Sequence, residues 1–173
     1  MLMLITNLAL NNDNSNNNNN NNLIHATCKA TPNYSLCVTT LQSDPRSYHE
    51  AKGGDDVMTT LSLIMVDAVK SKSIKIMERV KELEKSNPEL RVPLSQCYVA
   101  YNAVLRADVS VAVEALKRGV PKFAENGMDD VDIEAETCEY SFNYEKLASP
   151  ISDMNRDIIE LSKVAKSIIR MLL

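Results

Sequence analysis

The segment 119–127 combines residue types that suit the binding of another molecule. It reads Gly-Val-Pro-Lys-Phe-Ala-Glu-Asn-Gly and carries one of only two Phe residues in the chain. The glycines at its ends predict a loop, in which Pro121 would stiffen the backbone while Lys122 offers a cation and Phe123 an aromatic surface. Two interpretations fit: a loop that binds a partner, or a connector in which Phe123 folds back and Lys122 is only solvated.

The four cysteines form a second chemical feature. Cys28, Cys37, Cys97 and Cys138 allow three disulfide pairings. The first two flank a predicted turn and the last two lie on apolar stripes of neighbouring predicted helices, so Cys28–Cys37 and Cys97–Cys138 need the least rearrangement. The even count favours an oxidising compartment, and four reduced thiols in a cytosolic protein are the alternative. No Cys-x-x-Cys pair occurs, so we expect no zinc site.

The rest of the chain offers little for catalysis. Glycine-rich phosphate loops, Gly-x-Ser-x-Gly and His-Glu-x-x-His are missing from the sequence. His25 and His49 are expected at the surface, and Asp129-Asp130 is interpreted as the charged start of a helix. We therefore expect a protein that is not an enzyme and that uses no metal and no cofactor.

Charge and hydropathy exclude further classes. The 173 residues include 19 basic and 23 acidic side chains, a net charge of -4, which argues against a nucleic-acid or anionic-membrane partner. The apolar run 1–10 is shorter than the roughly 20 residues of a membrane span and lacks a basic start, so it is interpreted as a signal-peptide remnant. The asparagine-rich remainder of residues 1–22 predicts a disordered spacer.

Apolar residues recur at three- and four-residue steps in four segments, each of which predicts an amphipathic helix. The predicted helices run from Asp55 to about Lys85, from Pro93 to Gly119, from Asp129 to Phe142, and from Ser149, as N-cap of Pro150, to Leu172. Asp108 interrupts the apolar stripe of the second helix and is predicted to restart it as an N-cap. Four such helices favour an all-α, antiparallel four-helix bundle over residues 55–173.

Residues 23–54 predict a small helical hairpin and a linker in front of the bundle. The turn Thr31-Pro32-Asn33 separates two apolar segments, which would form the two short helices. Asn33-Tyr34-Ser35 is also a glycosylation sequon at the predicted hairpin tip, where a sugar would be exposed.

These residues resemble the plant invertase and pectin methylesterase inhibitor-related proteins over positions 23–173. The resemblance rests on Thr27-Cys28-Lys29, Thr31-Pro32-Asn33-Tyr34, Leu36-Cys37, Pro93-Leu94 with Cys97, Cys138 and the last helix. It implies the bundle with its hairpin, the same two disulfides, and secretion to the apoplast, cell wall or vacuole.

The tripeptide Pro121-Lys122-Phe123 resembles the signature of the invertase-inhibitor branch. The resemblance implies that these residues enter the sucrose-binding pocket of an acid invertase, and we assign Glu125 to the same target contact. Retaining glycosidases hold two carboxylates about 5–5.5 Å apart, which would attract the Lys122 ammonium.

Two other functions remain open from the sequence. Inhibition of pectin methylesterase would use the face of the bundle rather than the loop. A bundle that binds a small molecule or lipid would need an internal cavity lined by residues such as Met65, Met77 and Met154, although Met on helix stripes is usually core filler.

Overall fold

The structure is a computed structural model that describes residues 20–48 and 56–173. The predicted signal remnant, most of the asparagine tract, His49 and Asp55 lie outside these ranges. The described residues contain the helices α1 (20–28), α2 (Tyr34–Gln42), α3 (Val57–Ser86), α4 (Arg91–Ala103), α5 (Val109–Lys117), α6 (Pro121–Tyr144) and α7 (Ser152–Ile169). Short 3-10 turns at Pro45–Tyr48, Pro88–Leu90 and Arg170–Leu172 flank them.

The predicted all-α fold is confirmed. In the four-helix bundle, α3 packs against α7 and against the α4–α5 pair, and α6 packs against the same two neighbours from the other side. Consecutive bundle helices run antiparallel, so the apolar stripes predicted from sequence meet in one core. Met65, Val69, Tyr101, Met128 and Ile158 are among its fully buried residues.

The helical hairpin is also confirmed, with a small shift of its start. Helix α1 already contains residues 20–22, which the sequence assigned to the disordered tract. Asn33 adopts an extended conformation, and its Oδ1 accepts a hydrogen bond from the backbone N–H of Leu36, so it caps α2. Ile24 and Leu41 are fully buried where the hairpin packs on α3 and α7. The domain boundary at residue 54 stays a prediction because residues 49–55 are outside the described ranges.

The second bundle helix differs from its prediction at Asp108. The backbone of Asp108 is helical and its side chain makes no capping hydrogen bond, so it is not an N-cap. Instead, residues Val104–Asp108 form a π-helical turn that joins α4 to α5. A π turn inserts a residue without ending the helix, which changes the direction of the following side chains.

The third bundle helix starts eight residues earlier than predicted. It begins at Pro121 rather than at Asp129, and therefore contains most of the segment predicted as a loop. Gly127 lies inside α6, where a β-carbon would meet the main-chain oxygen of Asp108 at 2.7 Å. The glycine therefore permits close packing of α6 on the π-helical turn.

Candidate target-binding site

A tight turn joins α5 to α6 and places Pro121 at the first position of α6. Gly119 has a positive φ of 70°, its N–H donates to the carbonyl of Leu116, and the Val120 N–H donates to the carbonyl of Ala115. This pair of bonds is the Schellman arrangement that ends a helix, so the predicted end of the second helix at Gly119 is confirmed. Pro121 is favourable at a first helical position because its missing N–H would have no partner there.

Lys122 and Phe123 therefore project from the first turn of a helix rather than from a loop. The predicted loop is wrong, but its side chains remain accessible: the Lys122 side chain is 64% exposed and Phe123 is 59% exposed. Phe123 does not fold back into the core. A helical turn holds the two neighbours in a fixed geometry, which reduces the conformational entropy lost when they bind.

Glu125 does not lie on the accessible surface of this site. The sequence suggested that Glu125 contacts the target. However, Glu125 is only 2% exposed, so it is not positioned to make such a contact directly. Its Oε2 accepts a hydrogen bond from Lys122 Nζ at 2.6 Å, and its Oε1 accepts one from Arg170 Nε at 2.5 Å. The hydrogen bond from Lys122, and then that from Arg170, hold the pKa of Glu125 below its ordinary value. Glu125 is therefore an ionised anchor beneath the exposed lysine.

The end of the bundle around Lys122 carries several cations. Lys117 and Arg118 lie at the exposed end of α5, where Arg118 Nε contacts Glu114 Oε1 at 2.5 Å, and Arg170 approaches from the turn after α7. The positive end of the α6 dipole adds to their charge. A chain with a net charge of -4 thus presents a basic end that suits an acidic pocket.

A ladder of polar contacts between α6 and α7 fixes the position of Arg170. Asp129 pairs with Lys166, Asp132 with the hydroxyl of Ser162, and Glu139 Oε1 accepts from Asn155 Nδ2 at 2.5 Å. The pair Glu125–Arg170 is the last rung of this antiparallel ladder. Arg170 carries no signal for this site in the sequence, because only the register of α6 against α7 brings it to Glu125.

Both predicted disulfides are present. Cys28–Cys37 closes the hairpin, and Cys97–Cys138 joins α4 to α6. The Nδ2 of Asn33, the atom to which a sugar would be attached, donates to Glu160 Oε2 at 3.0 Å. In the hairpin, His25 Nδ1 lies 2.8 Å from the Tyr34 hydroxyl.

Two other kinds of site, a metal site and a membrane span, are not found in the described ranges. Within residues 20–48 and 56–173, no three His, Cys, Asp or Glu side chains are grouped as metal ligands. No helix in this part of the chain is both long and apolar enough to span a bilayer. Met65 is fully buried, and Met77 and Met154 pack against the core, as expected of core filler.

Residues 22–168 match the family described as "Plant invertase/pectin methylesterase inhibitor". The chain belongs to the plant invertase/pectin methylesterase inhibitor family. Among curated members, it is 37% identical over 146 residues to the Arabidopsis thaliana protein named cell wall / vacuolar inhibitor of fructosidase 1, covering 84% of this chain and 67% of that protein. Both the family and this relative are thus named as inhibitors rather than as enzymes.

Solved structures of the inhibitor family share the fold. A mutant form of an Arabidopsis pectin methylesterase inhibitor superposes with a TM-score of 0.67 at 17% identity, over 84% of this chain and 94% of that one. A second pectin methylesterase inhibitor, from Arabidopsis thaliana, gives a TM-score of 0.61 at 16% identity, over 88% and 97% of the two chains. Identities this low support the shared architecture alone.

Proposed function

We propose that this protein inhibits a plant acid invertase by placing Lys122 and Phe123 in the sucrose-binding pocket of the enzyme. The observation that carries the proposal is the pair of exposed side chains at the start of α6, a cation beside an aromatic ring, at the basic end of the bundle. The 37% identity to a protein named as a fructosidase inhibitor supports the same target.

The physical basis is charge complementarity with a glycosidase active site. A retaining glycosidase holds two carboxylates around a centre that becomes positive in the transition state, so an ammonium group is attracted to the same place. Lys122 would supply that charge without offering a bond to cleave. Phe123 would exclude water beside it, and the surrounding surface of the bundle would supply the contact area that these two residues cannot.

Inhibition assays with purified acid invertase test this proposal. We expect Lys122→Glu to abolish inhibition, because it places a carboxylate against the carboxylates of the enzyme, and Phe123→Ala to weaken inhibition strongly. Lys75→Glu is the matched control, since it makes the same charge change at an exposed position in the middle of α3. Normal inhibition by correctly folded Lys122→Glu would show that this lysine does not mediate the contact.

A second candidate function is inhibition of pectin methylesterase through the face of the bundle. The exposed apolar side chains of α6 favour it: Ile133 is 58% exposed, Tyr140 67% and Tyr144 73%. A double variant, Tyr140→Ala with Tyr144→Ala, would weaken inhibition of pectin methylesterase and leave inhibition of invertase near normal. Assays of the wild type against both enzymes establish which target is used.

The proposed location is outside the cytosol, in the cell wall or the vacuole. The two disulfides fit an oxidising route, and the Arabidopsis relative is named for those compartments. Glycosylation of Asn33 is part of the same proposal. A mass shift on enzymatic deglycosylation of the secreted protein, absent in Ser35→Ala, would support it, because that substitution removes the sequon and leaves Asn33 in place.

A further inference from the structure

One buried carboxylate is shared between two cations at the start of α6. Glu125 is the single buried charged residue among residues 20–48 and 56–173. Lys122 binds its Oε2, and Arg170 binds its Oε1. The two cations approach different oxygens from different elements, so either one can leave without displacing the other.

The sharing matters when Lys122 binds a target. Moving its ammonium onto a carboxylate of the enzyme removes one partner from Glu125, at the moment when the surface of the enzyme covers this end of the bundle. Water then has limited access to replace the lost contact, and a buried charge left without a partner is strongly unfavourable. Arg170 can remain on Oε1, so Glu125 keeps a cation throughout.

We propose that Arg170 is a positioning residue that keeps Glu125 paired and thereby frees Lys122 to bind the target enzyme. The inference rests on the proposed function, because it assumes that Lys122 is the contacting group. Without Arg170, Lys122 would be the sole cation on Glu125 and would be held back on its own protein. The polar contacts between α6 and α7 support this role, because they set a helix register that places Arg170 beside Glu125.

The test is inhibition of acid invertase by a set of charge variants. We expect Arg170→Met to raise the inhibition constant about tenfold, because Lys122 would then be retained as the sole cation on the buried carboxylate of Glu125. Arg170→Lys, which keeps a cation, should stay close to the wild type. Arg156→Met is the matched control, because it removes an arginine that pairs with exposed Asp153 near the start of α7, away from the basic end of the bundle.

A double variant separates this role from a merely structural one. Glu125→Gln removes the buried charge that retains Lys122, so Glu125→Gln combined with Arg170→Met should restore inhibition to near the wild-type level. A structural role predicts the opposite, since the double variant loses both ion pairs. Thermal unfolding of each variant, followed by circular dichroism, confirms that the inhibitors are folded at the assay temperature.

The outcomes distinguish failure of this inference from failure of the proposed function. If Lys122→Glu inhibits normally, the proposed function fails and this inference fails with it. If Lys122→Glu is inactive but Arg170→Met inhibits like the wild type, only the role of Arg170 is overturned. A double variant that remains as weak as Arg170→Met also overturns it.

Discussion

A β-carbon on Gly127 would lie 2.7 Å from the main-chain oxygen of Asp108, so α6 and the π-helical turn meet backbone to backbone. Such a distance leaves no room for a side chain at position 127. The atom that a side chain would meet belongs to the main chain of Asp108, so it cannot move aside as the end of a flexible side chain could. The contact explains why α6 contains a glycine, although glycine inside a helix lowers its stability by about 1 kcal/mol relative to Ala.

We expect Gly127→Ala to destabilise the fold by about 1–3 kcal/mol, because the added methyl forces α6 away from the π-helical turn. Urea unfolding followed by circular dichroism measures the change. Asn126→Ala is the control, since it introduces the same residue at the preceding, exposed position of α6. Equal stability of Gly127→Ala and the wild type would mean that the two helices can separate at little cost.

Asp108 makes the stability of the bundle depend on pH. Burial, followed by the charges of Asp130 and Glu134 on α6, raises the pKa of Asp108 to about 6. Its Oδ2 has no hydrogen-bond partner in the described part of the chain. Between the ordinary carboxyl pKa of about 3.9 and pH 6, the folded protein binds more protons than the unfolded chain at this position, so its contribution to stability falls as the pH rises.

We therefore expect Asp108→Asn to stabilise the protein more at pH 7 than at pH 5, because the amide is uncharged at both values. Midpoints of urea unfolding at the two pH values measure this difference. Asp153→Asn, at an exposed position of α7, serves as the control. An equal gain from Asp108→Asn at both pH values would show that the carboxyl is ionised throughout this range.

Lys146 ends α6 in the conformation that Gly119 adopts at the end of α5. It has a φ of 57°, and the N–H of the following Leu147 donates to the carbonyl of Phe142. The left-handed region is unfavourable for side chains and open to glycine, so Lys146→Gly should stabilise the fold by about 0.5–1 kcal/mol. Gly119→Ala should destabilise it by a similar amount. Thermal unfolding checks both changes, and a loss of stability in Lys146→Gly would contradict this expectation.

The two disulfides should contribute unequally to stability. Cys97–Cys138 spans 41 residues and Cys28–Cys37 spans 9, and the entropy of loop closure rises with span. On that basis, the first bond stabilises the fold by about 4 kcal/mol and the second by about 2.6 kcal/mol. Chemical unfolding of the variants Cys97→Ala/Cys138→Ala and Cys28→Ala/Cys37→Ala tests the order. The reverse order would show that effects within the folded state outweigh chain entropy.

The sequence predicted those features that depend on local pattern. The stripe on α7, the helix end at Gly119 and the hairpin turn at Thr31-Pro32-Asn33 follow from spacing and backbone preference, and the structure agrees with each of them. Helix α7 begins at Ser152 rather than at Pro150, a shift of one or two residues that is common at helix ends.

The features that the sequence missed depend on neighbours distant in the chain. From the sequence, Gly127 suggested the end of a loop. Its actual role, close packing against Asp108, is a tertiary contact that the local pattern does not reveal. Glu125 suggested a contact with the target, although its spacing of three residues from Lys122 was a signal for an ion pair within a helix. Its second ion-pair partner, Arg170, lies 45 residues further along the chain.

The placement of the cross-links divides the molecule into two parts. One bridge closes within the hairpin and the other within the bundle, and neither connects these parts. Beyond the polypeptide itself, the described hairpin is held by apolar packing and by polar contacts such as Asn33 with Glu160 and Arg46 with Asp67. It is therefore suited to detach as a unit while every covalent bond stays intact, a partial opening that faster amide hydrogen exchange in α1 and α2 than in α6 would reveal.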